Sequence, residues 1–222
     1  MKKEIKNKLL KIVRDNYEDV ADEFSDSRNY VWPELKKIIN IKNNNKILDL
    51  GCGNGRLFEL FKNTDAKYTG VEQSHNLTKL AQKKYPNAKF IQSDILKYNS
   101  NAKHDLILLI AVLPHIPSSE LRLKLLKQIK NNLAPNGQLI ITCWNLRAHP
   151  KYKKLVWKNN ILKIFGLNKM DWGDILFSGF TKNSQRYYHA FTKNELHKLL
   201  IQAGFKIEKI YQDKKNIYAI CN

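Results

Sequence analysis

Cysteine, long hydrophobic runs and acidic residues are all scarce in this chain. The three cysteines, Cys52, Cys143 and Cys221, are widely spaced and odd in number, which argues against a disulfide framework or a C-x-x-C metal site. The longest apolar run, Leu106 to Leu113, is far shorter than the ~20 residues that cross a bilayer. The amino terminus lacks the apolar segment of a secretory signal. We therefore expect a cytoplasmic protein with no bound metal and no membrane partner.

The shortage of acids gives the 222 residues a formal net charge of +19. Lysine dominates the basic residues and asparagine and isoleucine are frequent, so part of this charge is attributed to coding bias. The segment 145–170 has seven basic residues and no acid. Aromatic residues lie within it or just beyond: Tyr152, Trp157, Phe165, Trp172, Phe177 and Phe180. Basic residues can neutralise phosphates and aromatic rings can stack on bases, so this surface indicates RNA binding. The alternative is a cationic lid helix whose aromatic residues pack on the sheet.

A glycine-rich turn, Asp49-Leu-Gly51-Cys52-Gly53-Asn-Gly55-Arg56, organises the rest of the chain. It follows a β-like run at 46–48 and precedes a predicted helix at 57–62. Glycines at these positions allow a sharp turn at the carboxyl end of a strand and let backbone amides approach a ligand. Taken alone, the spacing also fits an ordinary turn between a strand and a helix.

Acidic residues follow the next two predicted strands as well. Glu72 ends the second strand, where its carboxylate can accept hydrogen bonds from both ribose hydroxyls, and Asp94 follows the third, within reach of an adenine amino group. Together with Asp49, these residues suit a nucleoside cofactor that carries a positive charge and no phosphate. S-adenosylmethionine has these properties, and NAD does not.

Hydrophobic periodicity predicts an α/β fold. Residues 4–24 indicate one or two amphipathic helices, and Pro33 begins another that runs to Ile39. The run 105–110 is apolar without alternation, which is typical of a parallel strand covered on both faces. The final runs, 206–211 and 216–220, are too close in sequence to be parallel. We expect a single Rossmann-like domain with a seven-stranded, mostly parallel sheet, an antiparallel carboxyl-terminal hairpin, helices on both faces and an amino-terminal helical extension.

Shorter signals refine this outline. Pro135-Asn136-Gly137 predicts a turn into a strand at 138–144. Ser118 is expected to cap the helix that lies between it and this turn. Thr192 and Glu195 form a capping box for a helix that ends at Ala203.

Several pieces of the chain together resemble one methyltransferase family. They are Tyr17 to Ala21 with Phe24-Ser25, Arg28 and Trp32-Pro33; Asp49 to Arg56; Ile110 to Ile116; Trp144; Trp172-Gly173-Asp174; and Arg186 to Phe191. The chain resembles the class I S-adenosylmethionine-dependent methyltransferases, and among them the tRNA wobble-uridine enzymes that esterify 5-carboxymethyluridine. It departs from them at Pro114-His115, where two histidines are usual, and in the residues after Trp144.

The resemblance implies a cofactor site, a substrate and partners within one domain, 1–222. Its parts are an amino-terminal cap over 1–45 and a basic, aromatic substrate-binding insertion over 145–190. The expected S-adenosylmethionine contacts are Arg28, Asp49, Gly51, Cys52, Gly53, Gly55, Glu72, Gln73, Asp94, Ile95 and Ala111. The expected contacts of the tRNA substrate are Arg28, Trp144, Asn145, Trp172, Arg186 and His189. Eukaryotic relatives need a small zinc-binding activator protein, so such a partner is also expected.

The predicted chemistry is an in-line displacement that depends on alignment. A carboxylate acceptor is already ionised near pH 7, so it needs an orienting cation and no general base. We expect Arg186, helped by Tyr187 or Arg28, to grip this carboxylate, while His115 or His189 shapes the pocket. The predicted catalytic residues are Arg186, Tyr187 and His115.

Two other functions stay open. A methyltransferase acting on a small-molecule hydroxyl or amine would need His115 or His189 as a general base. A non-catalytic RNA-binding module with the same fold is the other alternative. For Arg28, a surface ion pair with Asp22 or Asp26 is as compatible with the spacing as a carboxylate clamp.

Overall fold

A seven-stranded sheet runs through the centre of the computed structural model, which describes residues 1–40, 45–179 and 184–222. The described strands are β1 (Lys46–Leu50), β2 (Lys67–Glu72), β3 (Lys89–Gln92), β4 (His104–Ile110), β5 (Leu133–Trp144), β6 (Asp174–Ser178), β7 (Gln185–His189), β8 (Ile207–Gln212) and β9 (Asn216–Cys221). The spatial order is β3-β2-β1-β4-β5-β9-β8, and in this sheet β9 alone runs opposite to the other strands, so that it pairs antiparallel with both β5 and β8. The predicted sheet and its carboxyl-terminal hairpin are confirmed; Phe180 lies outside the described residues.

Helices flank this sheet. They are α1 (Lys3–Asp19), α2 (Ala21–Ser27), α3 (Pro33–Ile38), α4 (His75–Lys84), α5 (Ser119–Asn132), α6 (Pro150–Ile164) and α7 (Lys193–Gln202). The predicted caps are present: Ser118 Oγ accepts a hydrogen bond from the Leu121 amide at 3.2 Å, and Thr192 Oγ1 accepts one from the Glu195 amide at 3.1 Å. None of the helices among these residues is long and apolar enough to span a bilayer.

The core lies on both faces of β4. Leu106, Leu108 and Ile110 pack into one apolar cluster, whereas Ile107 and Leu109 pack into another. Successive side chains of a strand point to opposite faces, so a run without polar alternation fills both layers. This arrangement explains why the strand is continuously apolar.

The helix predicted at 57–62 is wrong. A short 3₁₀ helix, Arg56–Leu60, follows the glycine turn instead, with a hydrogen bond from the Phe61 amide to the Phe58 carbonyl. Gly55 precedes it with φ +73°, and the chain turns directly after it at residues 61–63.

Pro135-Asn136-Gly137 lies within the bounds of β5, but the continuous pairing of β5 with β4 begins at Gln138, where the strand was predicted to start. Asn136 has φ +62°, and the pairing of β5 with β4 shifts between His104 and Leu106. The turn-forming residues therefore produce a bulge in a continuous strand.

The β6–β7 hairpin was not predicted. Its strands pair antiparallel from Asp174 opposite His189 to Ser178 opposite Gln185 and form a separate small sheet. Together with α6, they occupy the chain between β5 and α7.

Gly55 gives a test of packing beneath the glycine turn. Gly55→Ala would place a Cβ 2.7 Å from Phe90 Cζ at a left-handed φ. We expect a loss of ~1–2 kcal/mol in the free energy of unfolding from backbone strain and a further ~1–3 kcal/mol from overpacking, measured by urea denaturation.

Gly166→Ala is the matched control for this prediction. Gly166 has φ +72°, but no atom lies within 4 Å of the place that an added Cβ would take, so only the strain should appear. Equal losses in the two variants would contradict the described packing around Gly55.

Candidate active site

A cavity of about 130 Å³ lies at the carboxyl ends of β1, β2, β4 and β5. Open α/β sheets bind ligands at this edge. The helices α1 and α2 cover the cavity, with Val13, Tyr17 and Phe24 among its lining residues. The sequence-based expectation that the amino-terminal helices lie across the ligand site therefore agrees with the structure.

Glu72 joins the two loops that form the half of this cavity where the cofactor is predicted to bind, its cofactor half. Its Oε2 accepts a hydrogen bond from the Gly53 amide at 3.0 Å, and its Oε1 accepts one from the Ser74 amide at 2.9 Å. Burial raises the pKa of Glu72, although these amide hydrogen bonds oppose the rise. Each carboxylate oxygen has a further lone pair with which to accept a ligand hydroxyl.

Asp49 lies beneath the glycine turn. Its Oδ2 accepts a hydrogen bond from the Tyr68 hydroxyl at 2.6 Å. Burial raises the pKa of Asp49 to about 7, while the bond from Tyr68 opposes that shift. A bound cation would favour the ionised carboxylate.

Most of the residues predicted to bind the cofactor line this cavity. They are Arg28, Asp49, Gly51, Cys52, Gly53, Glu72, Gln73, Asp94, Ile95 and Ala111. Gly55 is not among the lining residues, because it packs beneath the turn against Phe90. Asp94 Oδ1 accepts a hydrogen bond from the Leu96 amide at 2.9 Å, which orients the carboxylate.

The other half of the cavity is aromatic and contains His115. The His115 Nε2 atom lies 2.9 Å from the Tyr17 hydroxyl, and the ring centroids of His115 and Tyr188 are 4.3 Å apart. Trp144 lines the cavity nearby, 5.8 Å from Tyr188 between centroids. Burial lowers the pKa of His115 to about 3, helped by the positive charge of Arg186. His115 is therefore neutral at pH 7.

Two arginines bring positive charge into the cavity. The Arg28 guanidinium carbon lies 5.7 Å from the Phe24 ring centre and 5.8 Å from that of Trp144. Among the described residues Arg28 forms no ion pair with an acid, so the predicted alternative at Asp22 or Asp26 is not observed.

Arg56 lies with its guanidinium carbon 4.9 Å from the Trp32 ring centre. Its Nη1 is buried and has no hydrogen-bond partner within the described part of the chain. Burial lowers the pKa of Arg56, and the charge of Arg28 acts in the same direction. Both arginines would gain from an anionic ligand group.

Asn54 connects the glycine turn to the amino-terminal helices. Its Nδ2 donates to Ser25 O at 3.3 Å, Ser25 Oγ at 3.2 Å and Arg28 O at 3.3 Å. The side chain is almost completely buried. Asn54 thereby fixes the position of Arg28 relative to the turn.

Arg186, Tyr187 and His189 do not line this cavity. Along β7, Arg186 donates from Nη2 to the Tyr188 hydroxyl, directly behind the His115 ring. Tyr187 donates to Asp174 Oδ1 at 2.8 Å, in a buried network. The predicted direct role of Tyr187 at the acceptor has no support in this geometry, because alternate strand residues face opposite sides.

His189 belongs to the same buried network. Its Nδ1 lies 2.7 Å from Asp174 Oδ1 and its Nε2 lies 2.6 Å from Glu195 Oε1, which connects the β6–β7 hairpin to α7. Both nitrogens are therefore occupied away from the cavity, and the predicted role of His189 in shaping the substrate pocket is not supported.

Asn145 and Trp172 also lie outside the cavity. The Asn145 amide group donates to Asp213 O at 2.7 Å, and Trp172 is exposed with Lys163 Nζ 5.8 Å from its ring centre. Trp172 could contact a large substrate on the surface, whereas Asn145 serves the loop before β9.

Sequence reasoning gave no role to three cavity residues. Asn54 and Arg56 lie inside the glycine motif but were treated as spacers between glycines, and Tyr17 was quoted only as part of the resemblance. The spacing of Val13 and Tyr17 on one face of α1 is the signal that could have identified Tyr17.

A family model described as a methyltransferase domain matches residues 18–210, so the chain belongs to the methyltransferase domain family. An S-adenosylmethionine-dependent methyltransferase structure from Methanosarcina mazei superposes with a TM-score of 0.71 at 20% identity, covering 86% of this chain and 97% of that chain. The predicted class I fold is thereby confirmed. S-adenosylmethionine is the cofactor of this class, in agreement with the prediction from the strand-end acids.

Curated relatives are more specific. The tRNA (carboxymethyluridine(34)-5-O)-methyltransferase of Saccharomyces cerevisiae is 29% identical over 59% of this chain and 47% of that protein. The protein of the same name from Schizosaccharomyces pombe is 26% identical over 92% of each chain. The predicted resemblance is confirmed. The chain spans only 21% to 47% of the length of the first curated relatives that it matches.

Replacing Glu72 tests the cofactor half of the cavity. Glu72→Ala removes the ribose acceptor and the bond to the Gly53 amide, so S-adenosylmethionine affinity should fall by more than about tenfold, given ~1.5–3 kcal/mol for such a hydrogen bond. Calorimetric titration measures the affinity, with thermal unfolding recorded in parallel. Glu120→Ala removes an exposed acid outside the cavity and should bind normally; undiminished binding by Glu72→Ala would mean that the cofactor lies elsewhere.

The pKa of Asp49 predicts a pH dependence of cofactor binding. Asp49 gains its negative charge as the pH rises through about 7, and this charge would attract the ammonium of a cofactor bound in this cavity. Affinity should therefore increase between pH 5.5 and 7.5, by at most about tenfold per pH unit below the pKa. Asp49→Asn should bind with nearly constant affinity over this range, and the same slope in that variant would exclude Asp49 as its source.

Proposed function

We propose that this protein transfers the methyl group of S-adenosylmethionine to the carboxylate of a carboxymethyl group on the wobble uridine of tRNA. The product is a methyl ester. Two independent observations support this proposal. Relatives carry this activity in their names, and the aromatic half of the cavity offers cations but no base suited to deprotonate an acceptor.

The state of His115 carries the argument. A hydroxyl or amine acceptor would need a base with a pKa near the working pH, but the pKa of His115 is lowered to about 3. His189 is enclosed by Asp174 and Glu195 outside the cavity. Asp49 belongs to the cofactor half. This geometry favours an acceptor that is already ionised and disfavours a small-molecule reaction that depends on a histidine base.

Arg28 is the cavity cation best placed to orient such a carboxylate. It lies beside Trp144 on the aromatic side, where an acceptor base can stack. Arg186 acts through Tyr188, whose hydroxyl it holds behind His115. We therefore assign direct binding of the carboxylate to Arg28, and to Arg186 the positioning of the aromatic wall.

The reaction needs no proton transfer. A lone pair of the carboxylate oxygen attacks the methyl carbon, an O–CH₃ bond forms, and the S–CH₃ bond breaks with its electrons remaining on sulfur. The negative carboxylate becomes a neutral ester, and the positive sulfonium becomes the neutral thioether of S-adenosylhomocysteine. Because charge disappears during transfer, a buried, aromatic acceptor site favours the transition state over separated ions in water.

A labelling experiment tests the proposal. Protein, methyl-labelled S-adenosylmethionine and total tRNA should give label in the RNA fraction that disappears when ribonuclease is added first. Mild alkali should then release the label as volatile methanol, because a methyl ester hydrolyses and an N-methyl or ether group does not. Label that resists alkali would contradict ester formation.

Substituting Arg28 tests its assigned role. Arg28→Gln should lower kcat/KM for tRNA by about 10- to 150-fold, the scale of ~1.5–3 kcal/mol for a lost hydrogen bond to a charged group, with cofactor affinity nearly unchanged. Arg28→Lys keeps the charge without the two-pronged geometry and should retain more activity. An equal loss of cofactor affinity and transfer would place Arg28 at the cofactor.

Arg186→Ala should lower the rate of methyl transfer but leave cofactor binding nearly intact. Arg186 lies behind the aromatic half of the cavity and not at the glycine turn. Transfer rate, cofactor affinity and thermal unfolding are measured together. If cofactor affinity falls as much as transfer does, the role of Arg186 is structural.

Two finer proposals rest on the sequence alone. We propose a cytoplasmic location and a small zinc-binding activator as partner. Co-purification of such a partner with the tagged protein from its native cells, together with activity gained on its addition, would support the second.

A further inference from the structure

The helix α6 has apolar residues on two faces. Its inner face is covered, since Val156 is buried and Tyr152 and Leu155 pack against the cluster that contains Ile175 and Tyr188. If packing on this cluster were the only role of α6, the solvent-facing side of the helix would carry only polar residues.

The outer face of α6 does not follow that rule. Trp157 is 70% exposed, Ile164 69% and Phe165 73%. At 100° per residue these side chains share one side of the helix with exposed lysines. The outer face of α6 is defined here as Lys153, Lys154, Trp157, Lys158, Ile164 and Phe165.

Hydrogen bonds hold the chain after α6 against this helix. The loop after α6 is tied back to the helix by hydrogen bonds from Asn168 Nδ2 to Asn159 O at 3.1 Å and from Lys163 Nζ to Met170 O at 2.6 Å. The Gly173 amide donates to Asn160 Oδ1 at 3.0 Å. Exposed aromatic rings on a rigid support are prepared for a partner without a large ordering cost.

The charges decide which partner fits. Residues 145–170 include no acid, so the lysines of the outer face have no carboxylate partner in that segment and repel one another. A polyanion relieves this repulsion, and one with flat apolar rings also covers Trp157 and Phe165. Unpaired nucleotides supply both groups, phosphates for lysine and bases for stacking.

We propose that the outer face of α6 docks the unpaired nucleotides of an RNA stem-loop. This deepens the proposed function, on which it rests for RNA as the substrate. The inner face of α6 lies near the cavity, because Tyr152 is 5.2 Å from Phe177 between ring centroids and Phe177 is 5.4 Å from Tyr188. Tyr188 in turn contacts His115. The outer face is one helix diameter, ~10–12 Å, further from that aromatic wall.

The test is RNA binding in the absence of cofactor, measured by fluorescence anisotropy with an unmodified stem-loop and a fully paired duplex of the same length. Lys154→Glu/Lys158→Glu should weaken binding of both RNAs by more than tenfold. The slope of log K against log[salt] should become less negative by about 1.4, because each of the two lost phosphate contacts contributes about −0.7. Trp157→Ala should weaken the stem-loop at least about fivefold, the lower limit for one stacked base, and leave the duplex unchanged.

Lys193→Glu/Lys198→Glu on α7 is the matched control, with the same change of charge at exposed positions. It should keep most of the affinity. Equal weakening by both double variants, or normal stem-loop binding by Trp157→Ala, would overturn the proposal. The proposal would also be overturned if the wild-type protein bound phosphatidylserine vesicles and Trp157→Ala abolished that binding but left RNA binding normal.

The two proposals fail separately. Normal RNA binding by the α6 variants with active methyl transfer to tRNA would overturn the docking surface alone. Surface-dependent RNA binding with no transfer to any tRNA would overturn the proposed function and support the surface.

Discussion

The site depends on how the glycine turn is tied to the neighbouring strand. The Gly51 and Cys52 amides both donate to the Val71 carbonyl, at 2.7 Å and 3.1 Å, and Glu72 accepts from the Gly53 amide at 3.0 Å. A turn with three left-handed glycines would otherwise have many conformations. These bonds select one of them and place the acids of the cofactor half around one cavity.

Both signs of charge line that cavity. Asp49, Glu72 and Asp94 contribute carboxyl groups, and Arg28 and Arg56 contribute guanidinium groups. Asp49 and Arg56 are close enough for each charge to shift the pKa of the other group. The methionine end of S-adenosylmethionine carries both an ammonium and a carboxylate, so a site with both signs of charge suits such a ligand. His115 is buried and neutral at pH 7, so it adds no positive charge to the cavity.

Sequence reasoning was most successful where a residue's place follows from strand order. Glu72 and Asp94 end neighbouring parallel strands, so their meeting at one edge followed from the predicted sheet. The burial of Tyr187 and His189 beside Asp174 could not be predicted, because the direction of a side chain requires a known strand partner and the β6–β7 hairpin was not predicted. Asn54 was missed because its partners, Ser25 and Arg28, lie in a segment whose docking is purely tertiary.

The bonds from Asn54 to Ser25 and Arg28 bear on where this protein can be shortened. A version that starts at β1 would keep the whole sheet, yet it would lose Tyr17, Phe24 and Arg28 from the cavity and expose Asn54 to water. The first 28 residues thus form an integral wall of the cavity. A truncated sheet domain is therefore a poor scaffold for engineering, and an affinity tag ahead of Met1 would disturb the contact of its amino group with Asp171 Oδ1 at 3.5 Å.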